Sequence, residues 1–525
     1  MIPAFTRRRF LNLVGAAGGS AAVYQMAMGL GLVPLVAQAQ RPDLAPLGAN
    51  QPRTVVILGA GISGLTSAYE LGRKGYQVII LEASHRAGGR NLTLRHGDLI
   101  DEIGNPRRCE FDPDPDLYFN AGPARIPGHH TALLGYCREL GVALEPFIND
   151  NRDAWVHDEA LFGGRRVRNR DYITDTRGFI AELAAKSIKP EDLEAPLTRG
   201  DYERVLAYLR QLGDLDQNFK YRGSLRAGMA VHDPSAPDVL KQPLDIHELL
   251  QSNFMNLMSF GEMDDQAATM MEPVGGMDRV VAGFLRKVGH NVRLHAQVEA
   301  VQLKEHGVRV VYRMDGTRSV IDADYCLNCI PMHLMSGIEH NFPADYAAGL
   351  SAVPRGKLFK IGFQMKERFW ERENIYGGIS WTSQDIQQIW YPPHGIHRQK
   401  GVMLGAYTFD PAAGEMFARL THQQRLQLAI RQAEKLHPGY GNYVENGVSI
   451  PWVRMNNLLG CPAAWSVELR NQWYKLLQAP TGNHYIIGDQ MSYLPGWQEG
   501  AMYSAFHALA DIDLRERQNA PLAAA

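Results

Sequence analysis

The period of hydrophobic and polar positions changes several times along the chain. Residues 10–36 are apolar and rich in Ala and Gly, with Arg7-Arg8-Arg9 before them and Ala37-Gln38-Ala39 after. Residues 40–53 lose that pattern, contain Pro and Gln, and read as a linker. Thr54-Val55-Val56-Ile57-Leu58 is a short continuous apolar run, the pattern of a parallel strand buried on both faces. Gly59–Gly64 then reads as a turn, Leu65 to about Lys74 as a helix, and Gln77–Leu81 as a second strand. Residues 106–120 are rich in Pro and Asp and read as loop. From 129 to 260 helical periodicity dominates, as in the amphipathic stretch Tyr202–Leu212.

Alternation returns at Asn291–Tyr312. Val292–Leu294 and Val308–Tyr312 predict β-structure with a hairpin around Glu305-His306-Gly307. Ala323–Ile330 reads as another buried strand, 356–409 as an antiparallel sheet, and 421–437 as a helix. Tyr485–Asp489 reads as a strand ending on an acid, and 499–514 as a closing helix. A β-α-β unit near one end and an apolar strand near the other imply a nucleotide-type domain assembled from separated segments.

Composition narrows the class. A chain of 525 residues has room for three or four lobes of about 150 residues each. With 45% hydrophobic and 21% charged residues it is a folded protein, not a disordered one. A net charge of −2 gives no basic surface for nucleic acid. Five cysteines are too few for a disulfide scaffold, and no metal site is expected. The charge is uneven, however: residues 1–39 hold three arginines and no acid. Basic start, apolar stretch and A-x-A ending are the parts of an export signal, and Thr6-Arg7-Arg8-Arg9-Phe10-Leu11 resembles the twin-arginine motif. An uncleaved membrane span is the alternative, weakened by the many Gly and Ala residues. Loss of 1–39 leaves a net charge of −5. The expectation is a periplasmic or secreted protein, handled folded by the twin-arginine export machinery.

Gly59-Ala60-Gly61-Ile62-Ser63-Gly64 fits G-x-G-x-x-G in the context the motif requires, after a strand and before a helix. Gly59 allows the tight turn, Gly61 lets backbone approach a pyrophosphate, and Gly64 allows helix and strand to touch. The helix N-terminus offers free N–H groups to the phosphates. Glu82 ends the second strand, where a carboxylate accepts from ribose hydroxyls and repels a 2′-phosphate.

Arg86-Ala87-Gly88-Gly89-Arg90 resembles the R-x-G-G-R segment of the flavin-dependent amine oxidases. Gly488-Asp489 resembles that family's second FAD contact, and Gln297-Val298 its adenine-side strand. The resemblance spans residue 54 to about 510. It implies an α/β plus α+β fold: a discontinuous, doubly wound Rossmann-like FAD domain (50–104, 272–340 and 476–515), a mixed β-sheet substrate domain (105–145 and 341–475) and a helical insertion (146–271). It also implies FAD contacts at Gly59, Gly61, Gly64, Glu82, Ala83, Gly89, Arg90, Gly122, Val298, Gly488, Asp489 and Ala501.

Within the family, Asn120-Ala121-Gly122-Pro123-Ala124-Arg125-Ile126-Pro127 resembles the amino acid oxidase segment whose arginine grips a substrate carboxylate. An Arg fork matches a planar carboxylate with two charge-assisted bonds. Tyr407 matches the tyrosine that shares that carboxylate. Gly496-Trp497 resembles the Gly-aromatic pair beside the flavin, with the Gly496 carbonyl accepting from the substrate amine. Lys360 matches the lysine that holds a water near flavin N5, with Lys357 as rival. Gly460-Cys461-Pro462 has proline where amine oxidases carry a second flavin-flanking aromatic. The cofactor is expected to be non-covalent, with attachment through Cys461 as the lesser alternative. Residues around Trp381, Tyr391 and the helical insertion are expected to supply the pocket floor. Glu262, Asp264 and Asp265 would matter for a basic substrate. The resemblance points to an L-amino acid oxidase using dioxygen, and to a homo-oligomer. Still open are an amine or polyamine oxidase, an amino acid 2-monooxygenase that decarboxylates to an amide, and a non-enzymatic flavoprotein.

Overall fold

The computed structural model describes residues 41–47, 52–189, 198–231 and 233–519. The export signal lies outside these residues. The expected unit forms as β1 (Thr54–Leu58), α1 (Ile62–Gly72) and β2 (Gln77–Leu81). Val55 to Leu58 are fully buried, which is why the run carries no polar side chain. Burying each such side chain contributes about 1.5–3 kcal/mol relative to exposure. β1 lies at the centre of a five-stranded sheet ordered Val292–Arg293, β2, β1, Tyr325–Asn328, His484–Ile486, with every pairing parallel. Its strands come from the beginning, middle and end of the chain.

On one face, α1, the helix Asp278–Val288 and the C-terminal helix Gln498–Asn519 share a single core with the sheet. On the other, a second core joins it to the antiparallel strands Gln297–Leu303, Val308–Met314 and Thr317–Ala323. The hairpin is not the expected one. Val292–Arg293 pairs in parallel with β2, and Gln297–Leu303 is the arm opposite Val308–Met314. A bulge between Val298 and Ala300 breaks the two-residue period and hides that strand in the sequence.

The second large sheet has seven strands, ordered Val167–Arg168, Trp155–His157, Ile379–Thr382, Gln388–Trp390, Gly401–Thr408, Phe359–Met365 and Val444–Pro451. Trp155–His157 and Val167–Arg168 fall in the stretch expected to be largely helical. At three and two residues they are too short to show a period. The sheet's outer face packs Phe359, Ile361, Phe363 and Met403 against the helices Pro411–Arg419 and His422–Ala433. Its inner face carries Lys360, Trp390 and Tyr407 toward the first domain.

The helical region comprises Asn169–Ser187, Arg199–Gly213, Ile246–Gln251 and Met255–Phe260. A capping box starts the second helix: the Thr198 hydroxyl accepts from Asp201 N, and the Asp201 carboxylate accepts from Thr198 N. A small sheet of Ile126–Pro127, Met270–Pro273 and Leu144–Pro146 ties this region to the segment after Gly122. Among the described residues, no helix is long and apolar enough to cross a membrane.

Candidate active site

The turn after β1 is built for close approach. Gly59 sits at φ +104°, where other residues are strained, and its N–H donates to the Leu81 carbonyl at 2.7 Å. A Cβ on Gly64 would overlap the Gly59 carbonyl oxygen, so Gly64 is fixed by helix-strand packing. A Cβ on Gly61 would meet nothing within 4 Å, so that glycine leaves the approach to the helix N-terminus open. Glu82 accepts from Ala60 N at 2.7 Å and from Ser84 N at 2.9 Å. Burial pushes its carboxyl up, against those two donors. Glu82 also lines the adjoining cavity.

That cavity holds about 410 Å³. It runs past Gly59, Gly61, Glu82, Ala83, Gly89, Arg90, Val298, Gly488, Asp489, Gly496, Trp497 and Ala501, so most of the expected cofactor contacts meet around one space. The open approach at Gly61 and the acceptor at Glu82 fit a dinucleotide with a free ribose hydroxyl. Arg90, expected as a cofactor contact, donates from Nη1 to Asp489 Oδ2 at 3.0 Å. Burial alone would raise Asp489; the Arg90 guanidinium outweighs it and holds the carboxyl below its ordinary range. Gly496 N donates to the same Oδ2 at 2.8 Å.

Gly122 does not line the cavity. A Cβ there would overlap the Arg90 carbonyl oxygen, and its N–H donates to Leu92 O at 3.0 Å. Backbone packing explains that glycine. Cys461 is a free thiol with Sγ 3.6 Å from Arg90 Nη1.

Beside this space lies a cationic, aromatic corner. The Arg125 guanidinium sits 4.3 Å from the ring of Trp390 and 5.9 Å from that of Trp497. Its Nη2 donates to Gln266 Oε1 at 2.6 Å, and its Nε has no partner. Burial lowers its pKa to about 10. Lys360 and Tyr407 are cross-strand partners, with Lys360 Nζ 4.3 Å from the tyrosine ring. Lys360 Nζ donates to Gly122 O at 2.6 Å. Burial, and then the charge of Arg125, lower the Lys360 pKa to about 7. Burial pushes the Tyr407 hydroxyl well up, so it stays protonated. Lys357 instead pairs with Glu415 near the surface and takes no part.

Sequence reasoning missed several residues here. Trp390 contacts both Arg125 and Tyr407, meeting the tyrosine ring edge-on at 5.4 Å. Strand alternation turns its neighbour Tyr391 to the outer face, where its hydroxyl bonds Ser380 and His437, both at 2.6 Å. Trp381 stays on the inner side, 5.1 Å from Phe260. Glu262 and Asp264 are exposed and Asp265 is half-buried. Arg355 lines the cavity with Nε and Nη1 unpartnered, and burial lowers it to about 10. His130 sits edge-on to Trp497 at 5.1 Å, and burial lowers it to about 3.

Two further groupings escaped notice. Cys326 and Cys329 stand at C-x-x-C spacing, but they belong to cores on opposite faces of the parallel sheet, so they do not form a pair. Burial raises the Cys329 thiol to about 12. Glu145, Glu272 and His394 bring ligand atoms within 4.8 Å of one another, because Glu145 and Glu272 are cross-strand partners.

Residues 62–512 match the family model described as flavin containing amine oxidoreductase. An L-amino-acid oxidase of Pseudechis australis is 25% identical over 483 residues, covering 89% of this chain and 88% of that one. A flavin-dependent L-tryptophan oxidase of Lentzea aerocolonigenes is 25% identical over 493 residues, covering 88% and 98%. Among solved structures, putrescine oxidase bound to putrescine aligns with a TM-score of 0.60 at 19% identity, covering 88% of this chain and 99% of that chain. Cyclohexylamine oxidase from Brevibacterium oxydans aligns at 0.59 and 16%, covering 89% and 99%. At these identities the structural matches speak for the fold.

Proposed function

The chain belongs to the flavin-containing amine oxidoreductase family, and from that premise we propose that it oxidises L-amino acids to 2-oxo acids, with ammonia and hydrogen peroxide as co-products. FAD, when bound, supplies the two-electron acceptor that takes a hydride from Cα at N5 and passes the electrons to dioxygen. The observation that carries the substrate assignment is Arg125, a guanidinium with aromatic walls and no ion pair among the described residues. Such a group is costly to bury unless an anion completes it.

In this reading Arg125 grips the substrate carboxylate through two parallel N–H bonds. The protonated Tyr407 hydroxyl donates to the same carboxylate. Trp390 and Trp497 exclude water, which disfavours the charged ammonium form of the substrate amine. The charges of Arg125 and of protonated Lys360 push the same way, and a neutral amine is the form that releases a hydride. The Gly496 carbonyl orients that amine. Lys360, with its pKa near 7, gains or loses a proton at Nζ close to neutral pH. Released imino acid and water give the 2-oxo acid and ammonia. Gly59, Gly61, Glu82, Gly89, Arg90, Val298, Asp489 and Ala501 hold the cofactor, without a covalent bond to Cys461.

The alternative reading is a simple amine or polyamine oxidase, the activity named for the structural neighbours, whose identity of 16–19% carries the fold alone. Against it stand Arg125 and the proline at 462 in place of an aromatic. Peroxide release separates the two. Peroxide from L-amino acids, with Arg125→Ala lowering kcat/KM about 100-fold or more, supports the proposal. Peroxide only from primary amines or polyamines, with Arg125→Ala harmless, sinks it. Product analysis for an amide separates the monooxygenase. The proposal extends to twin-arginine export of a homo-oligomer, which N-terminal sequencing of the exported protein and sedimentation would check.

A further inference from the structure

Arg125 is oriented by an amide, not by a carboxylate. Gln266 comes from the segment that closes the helical region and is nine-tenths buried. Its Oε1 accepts from Arg125 Nη2 at 2.6 Å and from Asn149 Nδ2 at 3.3 Å. Asn149 Nδ2 also donates to the Gln266 backbone carbonyl at 2.9 Å, which fixes the glutamine from behind. Asn149 itself precedes the helical region, and the small sheet that joins Leu144–Pro146 to Met270–Pro273 holds the two segments together. The chain Asn149–Gln266–Arg125 therefore links the helical region to the guanidinium.

A neutral acceptor at this place has a consequence. Arginines are usually held in a chosen orientation by Asp or Glu, but a carboxylate here would complete the guanidinium and leave it nothing to recruit. An amide oxygen orients the fork through one bond and leaves its charge uncompensated. Asp265, the adjacent acid, interacts with Arg125 only through space and makes no ion pair with it.

We propose that Gln266, backed by Asn149, is the positioning residue of the carboxylate clamp, and that its neutrality reserves Arg125 for an anionic substrate. This rests on the amino acid oxidase reading. The direct test is Gln266→Glu, which keeps the shape and supplies the missing charge. In the flavin-loaded enzyme, KM for L-amino acids is expected to rise about 10- to 100-fold, the range of a charge-assisted pair, with kcat held within about threefold. Benzoate binding, read from the flavin spectrum, should loosen by a similar factor. Asn149→Ala should raise KM by a smaller factor in the same direction.

A purely structural role for Gln266 would instead lower kcat, Tm and flavin content together. Unchanged KM and benzoate affinity in Gln266→Glu, or a fall in kcat with KM constant, overturns the inference. Arg125→Ala separates the two levels of the argument. If it abolishes amino acid oxidation while Gln266→Glu leaves KM unchanged, the positioning role is wrong and the amino acid oxidase reading stands. If Arg125→Ala is itself harmless, both fall.

Discussion

The two ends of the active site are built in opposite ways. At the cofactor end, backbone does the work: Gly59 takes a positive φ, Gly61 leaves an open approach, and Glu82 is held by two N–H groups. These parts lie along the β1–α1–β2 unit and the residue that follows it, and Arg90, Val298, Asp489 and Ala501 close the same cavity from other segments. At the substrate end, side chains do the work. Arg125, Gln266, Lys360, Trp390, Tyr407 and Trp497 come from separate segments, and a half-buried Arg125 and a buried Lys360 stand there without an ion pair among the described residues. Backbone sites gain their geometry from local structure. Side-chain sites gain theirs from the whole fold, and they hold electrostatic strain that a ligand relieves.

That contrast can be broken most forcefully at the glycines. Gly64→Ala should destabilise the fold by about 1–3 kcal/mol or more through overlap with Gly59, seen as a lower Tm with or without FAD. Gly61→Ala should leave the Tm of the flavin-free protein nearly unchanged and weaken FAD binding about 10-fold or more, measured by titrating flavin fluorescence. Equal effects of the two variants would erase the distinction between packing and approach.

Lys360 sharpens the other end. Its folded pKa is about 7 against an ordinary value of 10.5. Below pH 7 both folded and unfolded chains carry the proton, and the cost of the buried charge is fully present. Between about 7 and 10.5 the unfolded chain binds a proton that the folded chain does not, so stability rises with pH. Lys360→Met should therefore raise the Tm most near pH 6, with the gain shrinking by pH 9. A gain that is constant with pH would contradict the burial of this amine. The smallest effect belongs to Lys357→Ala. This residue pairs near the surface with Glu415, so kcat and KM should stay at wild-type values and stability should change by no more than about 0.5 kcal/mol.

The same contrast explains what was legible in the chain. G-x-G-x-x-G, its flanking strands and Glu82 were readable because local geometry leaves its own residue pattern. Arg125, Tyr407, Lys360 and Trp497 were found through motif resemblance, and the fold brings them together. Trp390 and Gln266 carried no such signal: their roles come from neighbours distant in sequence. The region around Tyr391 was named without saying which side chain faces inward, and one residue along an extended chain is the opposite face: Trp390 faces in and Tyr391 out. The hairpin's turn and second arm were legible, but its first arm was assigned to Val292–Leu294 because a bulge masks the period of Gln297–Leu303, and Trp155–His157 and Val167–Arg168 are too short to have a period.

The central claim is that the substrate carboxylate completes Arg125. Anaerobic bleaching of the bound flavin tests it most directly, with L-amino acids compared against the amines left when their carboxylates are removed. The account predicts rapid bleaching by the amino acids and bleaching slower by about 100-fold or more by the matching amines, with Arg125→Ala erasing the difference. Equal or faster bleaching by the amines, unaffected by Arg125→Ala, would contradict it.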